Sequence, residues 1–163
     1  MPNTDPDEAL SLVLKYFPDI PVWPQLPKRS FLENMYVQYS EGFPGVVLDH
    51  EKERIYIDRS KDLDEQLEQL YQAHIDKDID KYPIKKEYAA GFDAFIHDGI
   101  TSPVAVKGQV TGPISWGLAV TDQNRRSIIY DDVLADALAR HINMKAAWME
   151  RELRKLSDNT IMF

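Results

Sequence analysis

The chain has 163 residues, 27 acidic against 19 basic side chains, a formal charge of −8 and no cysteine. That composition rules out disulfides and thiolate chemistry within the chain and disfavours a nucleic-acid partner, whose phosphates need cationic contacts. No stretch approaches the roughly 20 apolar residues that cross a bilayer, and the polar start from Met1 to Asp7 is unlike a secretory leader. The expectation is a cytoplasmic protein with neither a nucleic-acid nor a membrane partner.

Taken in chain order, Asp7 to Phe17 reads as a short helix. Thr4 or Asp5 can cap it, Pro6 suits its first turn and Pro18 stops it. Ile20 to Leu26 is apolar but interrupted by prolines, which predicts a short strand running into a loop at Pro24. Ser30 followed by Glu33 has capping-box spacing and predicts a helix from Phe31 to about Ser40. Gly42-Phe43-Pro44-Gly45 would end it.

Gly45 to Asp49 and Arg54 to Asp58 read as a β-hairpin around the charged turn His50-Glu51-Lys52-Glu53. Asp62 to about Lys77 has the amphipathic period of a helix. Lys86 to His97 reads as another, closed by Asp98-Gly99. Pro103 to Val110 reads as a buried strand, Thr111-Gly112-Pro113 as a turn, and Pro113 to about Val120 as a short helix. Asp131 to Leu156 is the longest helix, with Leu134, Leu138, Ile142, Met149, Leu153 and Leu156 along one side. Thr160 to Phe163 begins a further apolar β run. Strands alternating with helices favour an α/β domain over residues 1–163.

Residue by residue, the chemistry is sparse. The histidines at 50, 74, 97 and 141 form no metal-binding pair in sequence, so no metal ligand is expected. Asp76 to Asp80 lacks the glycine and glutamate of a calcium loop. Asp49 and Asp58 end the two hairpin strands and could face one another as a carboxylate pair, against the plainer reading of two solvated turn residues.

Four segments together carry a family resemblance: Trp23-Pro24-Gln25-Leu26-Pro27-Lys28-Arg29, Glu41-Gly42-Phe43-Pro44-Gly45, Val106-Lys107-Gly108-Gln109-Val110-Thr111-Gly112-Pro113, and Thr160-Ile161-Met162-Phe163. They resemble the first half of proteins similar to cobalamin-independent methionine synthase, within the uroporphyrinogen decarboxylase superfamily. The resemblance implies a (β/α)8 barrel. At this length the chain would be a partial, half TIM-type barrel with a β-hairpin insertion, ending inside a strand. It implies methyl transfer from a folate-like or corrinoid donor to a thiol, with this segment inactive alone. It further implies a catalytic zinc in the missing half, held by histidine, cysteine and glutamate residues that have no counterpart here.

Active-site groups of such barrels follow the strands. Gln25, Lys28 and Arg29, then Gln109, Thr111, Gly112 and Trp116, are therefore the candidate substrate-binding residues. Arg29 and Lys28 could neutralise a carboxylate, or be solvated loop cations. Thr111-Gly112-Pro113 could present helix N–H groups to an anion, or be a plain turn. Trp116 could stack on a flat heterocycle, or be a core indole. Two other readings stand beside this one: a tetrapyrrole decarboxylase, and a non-enzymatic half-barrel that works by assembly. Either way, exposed sheet edges suggest a homodimer or pairing with the missing half.

Overall fold

The computed structural model describes residues 2–97 and 100–163; the Asp98-Gly99 helix stop lies outside them. The chain is mixed α/β, with five α-helices and two small sheets among the described residues.

Helix α1 (Pro6–Tyr16) starts where Asp5 Oδ1 accepts hydrogen bonds from the Asp7 and Glu8 amides at 3.0 and 2.9 Å, with proline in its first turn. Its Ala9, Leu10 and Val13 are buried, and it packs against α3 (Ala90–His97). The next segment stays extended. Prolines 21, 24 and 27 prevent a regular ladder, yet Val22 bridges Lys107 in parallel and the Pro21 carbonyl accepts from the Lys107 amide at 2.9 Å.

That contact joins the segment to β3 (Val106–Gly108), which pairs in parallel with β5 (Thr160–Met162) on its other side. Three parallel segments, at Val22, β3 and β5, therefore lie side by side. Long helical connections separate them, as parallel pairing requires.

The hairpin forms the second sheet. Strands β1 (Val46–Asp49) and β2 (Arg54–Ile57) pair antiparallel, with Val46 opposite Ile57 and Asp49 opposite Arg54. Its left-handed turn residue is Glu53, with φ 46°. Strand β4 (Thr121–Asp122), two residues that no sequence pattern marked, adds in parallel to β2. Asp49 and Asp58 thus lie at opposite ends of the hairpin, because antiparallel register places the end of one strand beside the start of the other. The carboxylate pair does not form, and the plainer reading of two turn residues describes them: Asp49 accepts from the Lys52 amide and Asp58 from Ser60.

Helix α2 (Asp64–Asp76), the seven-residue α4 (Pro113–Ala119) and the 22-residue α5 (Asp132–Leu153) complete the core. Asp131 Oδ1 caps α5. This helix contacts α2, α4, β3 and β5 and buries Leu134, Leu138, Ile142, Met149 and Leu153. Burial of that stripe is the main apolar contribution to the fold, at roughly 1.5–3 kcal/mol per large side chain.

The expected helix from Phe31 to Ser40 is absent. Only a 3-10 turn forms at Phe31–Glu33, followed by turns to Gly42. Ser30 makes no capping hydrogen bond, and its buried hydroxyl lacks a partner. Glu33 instead turns inward. Residues 86–88 likewise form a turn, so α3 starts at Ala90 rather than Lys86. Near that start the backbone comes close to its neighbour: a Cβ on Gly91 would sit 2.0 Å from the Pro24 carbonyl oxygen. Helix α3 is seated against the first parallel segment through that bare backbone.

Candidate functional site

The Val22 segment and β3 both run toward one end of the parallel sheet. A cavity of about 400 Å³ lies there, lined by Gln25, Pro27, Glu33, Asn34, Met35, Gln38, Tyr39, Gln109, Val110 and Thr111. Its wall is mostly apolar with a few buried polar groups, the usual make-up of a small-molecule pocket at strand ends. A larger groove of about 680 Å³ runs between α2 and Tyr82. Its lining is mostly solvated glutamates and glutamines of α2, so the strand-end cavity is the stronger candidate.

Glu33 is the main polar feature of the cavity wall. The turn after Ser30 carries its side chain inward, where the residue is 1% exposed. Oε1 accepts from Arg29 Nη1 at 2.8 Å and from the Ala90 amide at 3.4 Å. Oε2 is buried and has no hydrogen-bond partner. Burial raises the carboxyl above its ordinary value, against the pull of Arg29 and the amides.

Gln38 stands beside it. Its Nε2 donates to the Tyr88 carbonyl at 2.8 Å, while Oε1 is buried and unpartnered. Two residues of this wall therefore each carry a buried acceptor oxygen without a close hydrogen bond, although the Leu26 amide also acts on the Glu33 carboxyl. Such groups are costly to bury without partners.

The rest of the wall is held rigidly. Tyr39 donates its hydroxyl to the Gln109 carbonyl at 2.7 Å, and Gln109 Nε2 donates to the Trp23 carbonyl at 3.4 Å. Burial pushes the Tyr39 phenol up, so it stays protonated as that donor. The Tyr39 carbonyl takes a 2.8 Å hydrogen bond from His141 Nε2 on α5. His141 is fully buried, and burial beside Lys145 pushes it down to about 3. It is therefore neutral, with the proton on Nε2, and acts as a structural donor that ties the cavity wall to α5.

The structure brings together three of the seven candidate residues, Gln25, Gln109 and Thr111, and reaches a fourth, Arg29, through Glu33. The Thr111 hydroxyl donates to the Met35 carbonyl at 3.1 Å, so its donor holds the loop. Arg29 is bound to Glu33 and is no free carboxylate clamp. Lys28 is exposed and outside the cavity lining. Gly112 is also exposed, and a Cβ there would meet nothing within 4 Å. Neither a close approach nor a seven-residue helix start supports an anion site at that turn.

Trp116 takes the core position, the plainer of its two readings. It is fully buried, edge-on to Phe43 at 5.3 Å, and donates Nε1 to the Tyr36 carbonyl at 2.7 Å. It is a core indole, with no face left for a heterocycle. Sequence reading missed Glu33, Gln38 and Tyr39. Only Glu33 carried a signal, and the capping-box spacing drew that signal to a different role.

Among the described residues, no group of three or more histidine, aspartate or glutamate side chains is arranged to hold a metal. No helix there is long and apolar enough to cross a membrane. Comparison with protein-family models, curated proteins and solved structures finds no match to this chain.

Proposed function

We propose that this chain forms the opening part of a (β/α) barrel enzyme resembling the methionine synthase-like methyltransferases, and that its strand-end cavity receives an amine-bearing thiol acceptor. The observation that carries this reading is that two residues lining the cavity, Glu33 and Gln38, each hold a buried acceptor oxygen, Oε2 and Oε1, without a hydrogen-bond partner. An ammonium group supplies several N–H donors and a charge to offset a buried carboxylate. The three parallel segments and the four resembling sequence stretches support the barrel.

In the proposed reaction the acceptor sulfur attacks a donor methyl carbon. The S–C bond forms as the donor N–C or Co–C bond breaks, the electron pair stays with the donor, and the thiol proton is released to it or to solvent. Glu33 and Gln38 would orient the acceptor by its amine, and the Tyr39–Gln109–Trp23 links would keep the wall fixed. The zinc of the synthases does not fit here. The sequence has no cysteine and the described residues hold no ligand cluster, so no step is assigned to a metal.

A tetrapyrrole decarboxylase is the weaker alternative. Its substrate is rich in carboxylates, and a cavity of about 400 Å³ walled by a carboxylate and amide oxygens repels such a ligand.

Titration calorimetry with L-homocysteine and with 4-mercaptobutanoate, which lacks the amine, tests the proposal. Saturable binding of the first, weakened at least about tenfold for the second, supports it. Equal affinity for both, or no binding of either at millimolar concentration, contradicts it. A methylated folate added to the same cell tests for the donor.

A further inference from the structure

The strand-end cavity is rich in acceptors and poor in donors. Glu33 Oε2 and Gln38 Oε1 are buried without a hydrogen-bond partner. The donors beside them are turned to main-chain carbonyls. The Tyr39 and Thr111 hydroxyls give to Gln109 and Met35, and Gln38 Nε2 gives to Tyr88. The backbone amides of Glu33, Asn34 and Gln38 give to Ser30, Phe31 and Asn34. Among the described residues, the lining holds no lysine, arginine or histidine. Arg29 lies outside it, with Nη1 on Glu33 Oε1.

An amine held at Glu33 brings whatever its own carbon carries to the same spot. In an α-amino acid the carboxylate carbon lies about 2.5 Å from the amine nitrogen, as two bonds and the angle between them fix. Whatever stands elsewhere around the pocket, that carboxylate has to settle beside Glu33. There it meets a second carboxylate in a buried setting, where like charges repel strongly and an unpaired charge is costly. The chain's net charge of −8 adds to the same sign. Pro27, Met35 and Val110 in the remaining wall suit methylenes.

We infer that the ligand is an aliphatic amine with no carboxylate on its amine-bearing carbon, an aminothiol rather than an α-amino acid. The inference rests on the amine-binding reading above and narrows its substrate class: the wall that attracts an ammonium group excludes a carboxylate next to it.

Calorimetric titration of the intact chain with four thiols tests this. They are 3-aminopropane-1-thiol, L-homocysteine, 4-mercaptobutanoate, and L-homocysteinol, whose neutral hydroxymethyl group replaces the carboxylate at similar size. The aminopropanethiol and homocysteinol should each bind at least about tenfold tighter than L-homocysteine. In Glu33→Gln the three amines should fall within about threefold of one another, because the charge that sorts them is gone. L-homocysteine binding as tightly as the aminopropanethiol overturns the inference and leaves the amine reading standing. Homocysteinol as weak as L-homocysteine also overturns it, since bulk rather than charge would then discriminate. A preference that persists undiminished in Glu33→Gln does the same. Binding of none of the amines, or of 4-mercaptobutanoate as tightly as the aminopropanethiol, brings down the amine reading and the inference with it. If Glu33→Gln does not fold, the comparison of homocysteinol with L-homocysteine in the wild-type chain decides.

Discussion

Glu33 meets Arg29 through one carboxylate oxygen at 2.8 Å and leaves the other buried without a donor. The pairing is lopsided: the Arg29 side chain is 35% exposed, while that of Glu33 is fully enclosed. Arg29 therefore offsets only part of the burial cost, since water screens the pair from one side.

Replacing Glu33 by glutamine keeps the shape and removes the charge. Because the folded carboxyl is raised above 4.5, its proton preference stabilises the fold below that pH and is lost as pH rises through the folded value. Wild type should lose stability over this interval relative to Glu33→Gln. Thermal melts at pH 4 and pH 7 should show the variant gaining on wild type at the higher pH while binding the amine ligand more weakly. A variant that loses ground at pH 7 would mean the carboxylate is well compensated as it stands.

His141 sets a second pH window of opposite slope. Its folded value of about 3 lies below the ordinary 6.5, so its contribution is present above 6.5 and lost as pH falls toward 3. Urea unfolding at pH 7 and pH 4.5 should show a loss of about 2 kcal/mol assignable to this group. His141→Phe, which cannot take up a proton, should lose correspondingly less over the same interval. Equal losses in both proteins would place the acid sensitivity elsewhere.

Lys145 is fully buried one turn further along α5, with Nζ donating to the Pro83 carbonyl at 3.0 Å. Burial pushes it down to about 8 from 10.5. The folded state sheds this proton before the unfolded chain does, so stability rises with pH from 8 to 10.5 on its account. Lys145→Met should remove that rise and be neutral to stabilising at pH 7, as replacing a buried charge often is. Marked destabilisation at pH 7 would show that the Pro83 bond outweighs the burial of the charge.

Gly91 tests the seating of α3. The atom that a Cβ would strike, the Pro24 carbonyl oxygen at 2.0 Å, is backbone and cannot rotate away. Gly91→Ala should cost roughly 3 kcal/mol, the upper end for overpacking, and should loosen ligand binding by displacing Gln25. A stability change within about 0.5 kcal/mol would mean that α3 is not seated this way.

Much of the frame was legible in the sequence because it rests on local rules. Asp5 and Pro6 start α1, two short apolar β runs around the charged turn at 50–53 make the hairpin, and the apolar stripe from Leu134 to Leu153 makes α5. The terminal β run at Thr160 was legible for its apolar, uncharged composition. The site was read only in part. Gln25, Gln109 and Thr111, chosen for their place after strands, line the candidate cavity. Glu33 was assigned to a cap because its spacing from Ser30 is right, but its side chain turns inward to Arg29 and to the Ala90 amide, a partner 57 residues away that local sequence does not encode. Trp116 was legible as a core indole, while its partners, Phe43 and the Tyr36 carbonyl, were not. The two residues of β4 are too short for any period.

The location of ligand binding tests the central claim most directly. In a titration of the isotope-labelled chain with L-homocysteine, amide shifts should cluster at Ala90, whose N–H faces Glu33, and at Gln38, Gln109 and Thr111, and should vanish in Glu33→Gln. Shifts confined to the α2 groove around Tyr82, or unchanged in Glu33→Gln, would contradict the account.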